Sequence, residues 1–332
     1  MSEVMNGYQL LMPFNNKEAG FSRWTLAVQG EKKIFLKEFL NPVYPLENAL
    51  SDKIRQQRIE ACEEFEKKKK RLYSKINEVS DGNIVRIREF FRCDSHYYIA
   101  TDRIDSQDIS YEELQKYPIE ERLLLCRIIA HAVMKLHSSR IVHADLKASN
   151  ILLKVTQNQK LTAKIIDFDC SFIEDDPPQY EDELGGDQVY LAPEACLFMC
   201  GEPVQLTCKI DVFSLGLIFH QILSGKLPWF DPNEYDYAFD AVLDRQQLEI
   251  ASKLDQEIKD MLKKMLVLDA DERITMQEVF QILKKNDEDS SEEETASDRE
   301  ESGSDGKEEK DTNGEQNSSP AADPWFHEAG DL

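Results

Sequence analysis

The rhythm of apolar and polar positions changes twice along the chain. From Tyr8 to Phe39 it runs in short apolar-aromatic stretches, YQLLMPF, RWTLAVQ and KKIFLKEF, separated by NNKEAGFS and GE. Such runs bounded by turn-forming residues predict strands. From Ser51 to Asn77 the period lengthens to that of a helix, with Ile59, Cys62, Phe65, Leu72, Tyr73 and Ile76 on one face. The lysine run 67–70 is assigned to the solvated side of that helix. Ile84–Arg88 and Tyr97–Ile104 return to strand character, and beyond Glu113 helical spacing dominates, starting with LLLCRIIAHAVMKLH. Strands first and helices afterwards predict an α+β chain, a small β-rich lobe joined near residues 102–106 to a larger helical one. After Lys285 the periodicity stops, leaving a Glu-, Asp- and Ser-rich tail over 286–332 that is too poor in aliphatic residues to fold.

Charge sharpens this division. The 332 residues carry a net charge of −24, of which the segment Asp287–Leu332 supplies −14. A chain this acidic is repelled by phosphate backbones and anionic lipid, which argues against nucleic-acid and membrane binding. No apolar run approaches the ~18 residues of a membrane span, and the N-terminus lacks a signal-peptide layout. Seven scattered cysteines fit free thiols in a reducing cytoplasm. Cys196, Cys200 and Cys208 have no histidine or fourth cysteine nearby and read as packing residues, not zinc ligands.

Three stretches carry the candidate chemistry: IVHADLKASNILL, with Asp145, Lys147 and Asn150; KIIDFD, with Asp167; and VYLAPEA, with Glu194. In order and spacing they resemble the catalytic loop, metal-binding aspartate and APE motif of the eukaryotic-like (Hanks-type) serine/threonine protein kinases, in a style closer to bacterial than to animal members. DVFSLGLI, SGKLPWF and LDADERIT extend the similarity over about Tyr8–Lys285. The resemblance implies a bilobal kinase fold with an N-lobe over about 8–101, a hinge over 102–104 and a C-lobe over 105–285. It implies ATP and Mg2+ as cofactors and protein hydroxyls as acceptors. Phosphoryl transfer rests on alignment and charge neutralisation. Asp145 is then expected to orient the acceptor hydroxyl, Lys147 to neutralise the γ-phosphoryl, and Asn150 and Asp167 to hold Mg2+. Lys147, two residues past Asp145, follows the serine/threonine pattern. Lys37 matches the strand lysine of the α- and β-phosphates, with Glu66 or Glu63 as its helix partner. Thr101 is expected at the back of the nucleotide pocket, with Asp102 and Ile104 in the hinge, and Arg273 as the partner of Glu194.

The chain departs from the family in four places. KEAGFSRW replaces the glycine-rich loop, with Lys17, Ala19 and Ser22 at the glycine positions and only Gly20 free of a side chain. Trp24 and Phe35 stand where a valine and an alanine usually cover the adenine, so the rings either tighten the purine pocket or partly fill it. A pseudokinase or scaffold is therefore the alternative reading. Asp169 replaces the glycine of the metal-binding motif, and a side chain there makes backbone flips costlier. Ala144 replaces the arginine that grips a phosphorylated activation loop, and Phe172–Val189 has Tyr180 as its sole hydroxyl. Activity without activation-loop phosphorylation is the expectation.

That segment carries Glu174, Asp175, Asp176, Glu181, Asp182, Glu183 and Asp187, and no Lys, Arg or His occurs from 172 to 208. Its field favours substrates with basic flanks. Asp187 is placed either to pair with Lys147 or to repel Asp145. In the tail, DPWFHEAGDL returns Trp325 and Phe326 after a long run without aromatics, the layout of a short docking motif for a partner.

Overall fold

A computed structural model describes residues 3–16, 22–46, 51–107 and 109–286. Within them the predicted N-terminal runs form one antiparallel sheet. Its strands are β1 (Val4–Met5), β2 (Tyr8–Leu10), β3 (Ser22–Gln29), β4 (Lys32–Phe39), β5 (Ile87–Cys93) and β6 (His96–Asp102), in the spatial order β1-β2-β3-β4-β6-β5. β3 and β4 meet in full register from Ser22↔Phe39 to Gln29↔Lys32. The two residues between them start with Gly30 at φ 62°, the positive φ that a two-residue hairpin demands.

Period-two geometry sorts β4 into two faces. Ile34 and Leu36 pack with Tyr8, Leu10, Ala27, Tyr98 and Ala100 in a small core on the outer side. Phe35, Lys37 and Phe39 turn to the other face, and Phe39 joins the main core. Lys37 is thereby carried into the interior, 7% exposed.

Two strand expectations need correction. YQLLMPF is a strand only over Tyr8–Leu10, since Pro13 brings no N–H to a ladder. The run expected over Ile84–Arg88 begins as a strand only at Ile87. Ile84 and Val85 are pinned to the helical lobe instead: Val85 N donates to Ile165 O at 2.8 Å, and Ile165 N donates to Asn83 O at 2.8 Å.

The expected helix is α1 (Asp52–Val79), with Cys62, Leu72, Tyr73 and Ile76 buried. The helical lobe follows with α2 (Tyr111–Leu114), α3 (Ile119–Ser138), α4 (Pro193–Met199), α5 (Lys209–Ser224), α6 (Ala238–Leu243) and α7 (Gln256–Met265); residues 276–286 are also helical. Two short antiparallel pairs complete it, β7 (Ile141–Val142) with β10 (Phe172–Ile173), and β8 (Ile151–Val155) with β9 (Leu161–Ile165). A continuous apolar cluster joins the inner face of α1 to α3, α5 and α7, so the lobes share one core. No described helix is long and apolar enough to cross a membrane.

Candidate active site

The turn between β7 and β8 carries Asp145, Lys147 and Asn150. Ala144 sits at φ 67°, a left-handed conformation that costs a non-glycine residue and persists only when neighbours enforce it. Asp211, in the first turn of α5 and 1% exposed, does so. Its Oδ2 accepts from His143 N at 2.8 Å and its Oδ1 from Ala144 N at 2.9 Å, while His137 Nε2 lies 3.0 Å from Oδ2. The buried His143 ring points Nε2 at Ile166 O, 2.9 Å away, and stands 4.8 Å from the Phe168 ring. Two interior rings and a buried carboxylate thus fix the turn that carries the expected catalytic residues.

The expected catalytic groups come together on this turn. Lys147 Nζ is 2.9 Å from Asp145 Oδ2. Asn150 Nδ2 donates to Asp145 O at 2.7 Å and to Asp145 Oδ2 at 3.0 Å. With its amide hydrogens committed, Asn150 keeps Oδ1 as the atom for a metal. Asp145 Oδ1 is buried and has no hydrogen-bond partner among the described residues. Partial burial would lower the Lys147 ammonium's pKa, but the hydrogen bond it donates to Asp145 and the charges of Asp145, Asp167 and Asp187 outweigh it and raise the value. Asp187 Oδ1 accepts from Val189 N at 2.9 Å.

The second half of the site departs from expectation. Lys37 Nζ lies 2.8 Å from Asp167 Oδ1 and 2.7 Å from Asp169 Oδ2. Neither helix glutamate meets it: Glu66 Oε1 accepts from Lys70 Nζ at 2.5 Å, and Glu63 is exposed. The Glu66 assignment is overturned because Asp169, two residues past Asp167, fills the space beside the ammonium. From α1 the residue that reaches the site is Lys69, which is not solvated as the rest of its run suggested. Its Nζ lies 5.8–6.0 Å from the ring centroids of Phe39, Tyr73 and Phe65 and donates to Asp169 O at 2.5 Å. Burial holds its pKa below the ordinary lysine value.

Burial and the Asp167 charge push Asp169 above the usual carboxylate range, against the pull of Lys37 and Lys69. Burial acts upward on Asp167 too, but Lys37 outweighs it and holds Asp167 below that range. The turn itself has Asp167 at φ 66° and Phe168 buried, with Ile166 N donating to Asn150 O at 3.0 Å. Asp167 and Asn150 offer a carboxylate and an amide oxygen, a hard donor set that suits Mg2+ shared with phosphate oxygens.

On the purine side, Trp24 and Phe35 stack on each other with centroids 5.4 Å apart and planes 28° apart. Trp24 faces Lys37 across the β3–β4 register, and Phe35 faces Thr101 on β6. Ser22 opens β3 and is 1% exposed. Lys17, Ala19 and Gly20 lie outside the described residues. Asp102 pairs with Arg88, and with Ile104, Ser80, Arg86 and Lys164 it lines a separate cavity of about 240 Å³.

The acidic segment is partly neutralised from within. Arg140 Nε is 3.3 Å from Glu174 and its Nη2 2.9 Å from Asp175, and Lys68 is 3.5 Å from Asp176. Glu174 also accepts from Cys208 N at 2.9 Å. Glu181, Asp182 and Glu183 form an exposed 3-10 turn beside Tyr180, which is 62% exposed. A shallow pocket reaches from this segment to Asp145, lined by Gly186, Asp187, Leu191 and Ser214. Beyond it the expected pair forms: Arg273 Nη1 donates to Glu194 Oε1 at 2.6 Å and Nη2 to Oε2 at 3.1 Å. Trp325 and Phe326 lie outside the described residues.

Comparison with known proteins identifies the family. The sequence model of the protein kinase domain family covers residues 51–283. Calcium-dependent protein kinase 4 of Plasmodium falciparum is 28% identical over 204 residues, 60% of this chain and 37% of that protein. The mitosis inducer protein kinase cdr1 of Schizosaccharomyces pombe is 30% identical over 200 residues, 60% of this chain and 32% of that one. Serine/threonine-protein kinase ULK3 of Xenopus laevis is 26% identical over 209 residues, 62% of this chain and 43% of that one. The chain thus matches less than half the length of these relatives. Among solved structures, the granulovirus kinase PK-1 of Cydia pomonella granulovirus superposes with a TM-score of 0.56 at 17% identity, covering 83% of this chain and 95% of that one, a likeness of fold.

Proposed function

The chain belongs to the eukaryotic-like protein kinase family, and from that premise we propose that it transfers the γ-phosphoryl of ATP to serine or threonine hydroxyls of proteins. The observation that carries this is the Asp145 carboxylate. Lys147 and Asn150 hold Oδ2, while buried Oδ1 keeps an open lone pair where an acceptor hydroxyl can donate. Asp145 then orients that oxygen and draws its proton as the bond to phosphorus forms. Lys147 supplies positive charge at the same spot, and Lys37 supplies it to the α- and β-phosphates. Mg2+, held through Asp167 and the Asn150 amide oxygen, would neutralise phosphate charge.

The decisive experiment compares the full chain with Asp145→Asn in a phosphotransfer assay, alongside a thermal-shift titration with Mg·ATP. Active wild type and inactive Asp145→Asn, both shifted by Mg·ATP, support the reading. A second reading rests on Trp24 and Phe35, whose mutual stacking favours a scaffold with weak nucleotide binding; absence of both shift and transfer selects it.

Regulation and substrate choice follow from the same segment. With Arg140 already paired to Glu174 and Asp175, the segment is tethered by carboxylates the chain itself carries, so activity needs no phosphorylation there. A phosphatase-treated preparation that is dead and revives on modification of Tyr180 refutes this. The exposed Glu181–Glu183 turn selects basic flanks, and a peptide array preferring acidic flanks refutes that. Trp325 and Phe326 are proposed as a docking motif; truncation at residue 320 then removes a copurifying partner.

A further inference from the structure

We propose that Asp169 is the positioning residue of Lys37, and that the glutamates of α1 have no part in holding that lysine. The proposal deepens the phosphotransfer reading above and rests on it for the role of Lys37.

The geometry is specific. The Lys37 side chain is 9% exposed and Asp169 16% exposed, with 2.7 Å between Nζ and Oδ2. Both carboxylates lie within hydrogen-bond distance of the one ammonium. Glu66 and Glu63 are engaged or exposed elsewhere. The turn explains how two carboxylates converge on one ammonium: Asp167 in the left-handed region and Phe168 buried beneath the turn bring positions 167 and 169 to the same side. Lys69 then clamps the backbone of Asp169 through its carbonyl.

The chemistry gives the two carboxylates different duties. Asp167 is the Mg2+ ligand of the pair, and an oxygen given to the metal is less available to anchor a lysine. Asp169 has no such second duty, so it can keep Lys37 aimed throughout turnover. An ammonium carries three donors. With Asp167 and Asp169 each taking one, the third remains for a phosphate oxygen. The family's glycine at this position cannot supply this anchor, which is why the family lysine needs a carboxylate from the helix.

The test uses the full chain and two readouts. In the first, Lys37 acylation by an N-hydroxysuccinimide ester is followed by peptide mass spectrometry, a measurement that needs no catalysis. Asp169→Asn removes the charge while keeping the shape, and is expected to raise Lys37 labelling at least about fivefold, whereas Glu66→Gln and Glu63→Gln leave it within about twofold. In the second, Asp169→Asn raises KM for ATP at least about tenfold with a smaller change in kcat, and Asp169→Glu restores part of the loss. Asp169→Gly serves if the asparagine variant does not fold, as judged by its melting temperature. Unchanged Lys37 labelling in the Asp169 variants, or increased labelling in Glu66→Gln, overturns the proposal. An inactive wild type whose Lys37 labelling still responds to Asp169 overturns the phosphotransfer reading alone.

Discussion

Arg273 is buried completely at its side chain, and every N–H it owns has a partner. Nε donates to Val267 O at 3.2 Å; Nη1 to Glu194 Oε1 at 2.6 Å and Lys209 O at 2.7 Å; Nη2 to Glu194 Oε2 at 3.1 Å and Val267 O at 2.9 Å. The side-chain exposures are 0% for Arg273 and 10% for Glu194, so solvent screens the pair very little. Truncation by Glu194→Ala leaves a buried guanidinium with two donors unpaired. Breaking a buried pair from one side costs about 3–5 kcal/mol. At roughly 2–4 °C per kcal/mol for a domain of this size, Tm should fall by roughly 6–20 °C.

Calorimetry of the full chain reads that shift, and three companions make it diagnostic. Glu194→Gln keeps the shape and one acceptor, so it should lose clearly less. Arg273→Lys keeps the charge but not the planar fork and should lose nearly as much as Glu194→Ala. The double variant Glu194→Ala/Arg273→Met should be more stable than the sum of its single changes predicts, because it leaves no unpaired charge. A Glu194→Ala protein melting within about 2 °C of wild type, or strict additivity in the double variant, refutes the reading of this pair as a buried structural anchor.

Other substitutions probe the frame around the site. Asp211→Asn replaces an acceptor of two backbone N–H groups with a group that must present N–H to one of them. Hydrogen bonds to a charged group are worth about 1.5–3 kcal/mol, so kcat should drop at least about tenfold with a smaller change in KM. Gly216→Ala puts a Cβ 2.8 Å from Leu266 Cδ2 and 3.1 Å from Met265 Cβ; overpacking of this kind costs about 1–3 kcal/mol, measurable as a lower urea midpoint. His220 donates from Nδ1 to Lys226 O at 2.7 Å and accepts at Nε2 from Ala251 N at 3.0 Å, a neutral tautomer. Burial lowers its pKa from the ordinary 6.5. With the folded value depressed, its contribution is full above about pH 6.5 and is lost as pH falls through the folded pKa. The Tm difference between wild type and His220→Asn should therefore shrink from pH 7.5 to 5.5; a constant difference counts against this.

The parts legible in the sequence were those carried by short motifs in a recognisable order. The resemblance of IFLKEF and HADLKASN to kinase motifs singled out Lys37, Asp145, Lys147 and Asn150. Illegible parts depend on three-dimensional competition for one position. Lys69 is chemically identical to Lys67, Lys68 and Lys70, and nothing local marks it as the residue that rotates beneath Phe39 and Tyr73. Asp169 was visible as a departure from the family glycine, but its choice of partner was not, since that depends on how far α1 stands from β4. Ile84 and Val85 read as strand because β-branched residues pack equally well as plugs between lobes.

The two halves of the site are anchored in different ways, with a mechanical consequence. Asp145, Lys147 and Asn150 ride on a turn that Asp211 fastens to α5, deep in the helical lobe. Lys37 rides on the sheet but is fastened to Asp169, on the segment that leaves β9 in the helical lobe. The ammonium is thus tied across the cleft to the lobe holding the catalytic carboxylate. Helix α1 touches this arrangement through Lys69 on a backbone carbonyl and Lys68 on Asp176. A swing of α1 would therefore reach Lys37 through the Asp167–Asp169 turn, since Lys69 holds the carbonyl of the residue whose carboxylate pairs with that lysine. In a kinase whose lysine pairs with the helix, the same swing strips the lysine of its partner first. On the roles proposed above, a movement of α1 would change Mg2+ affinity at Asp167 and the Lys37–Asp169 ion pair together.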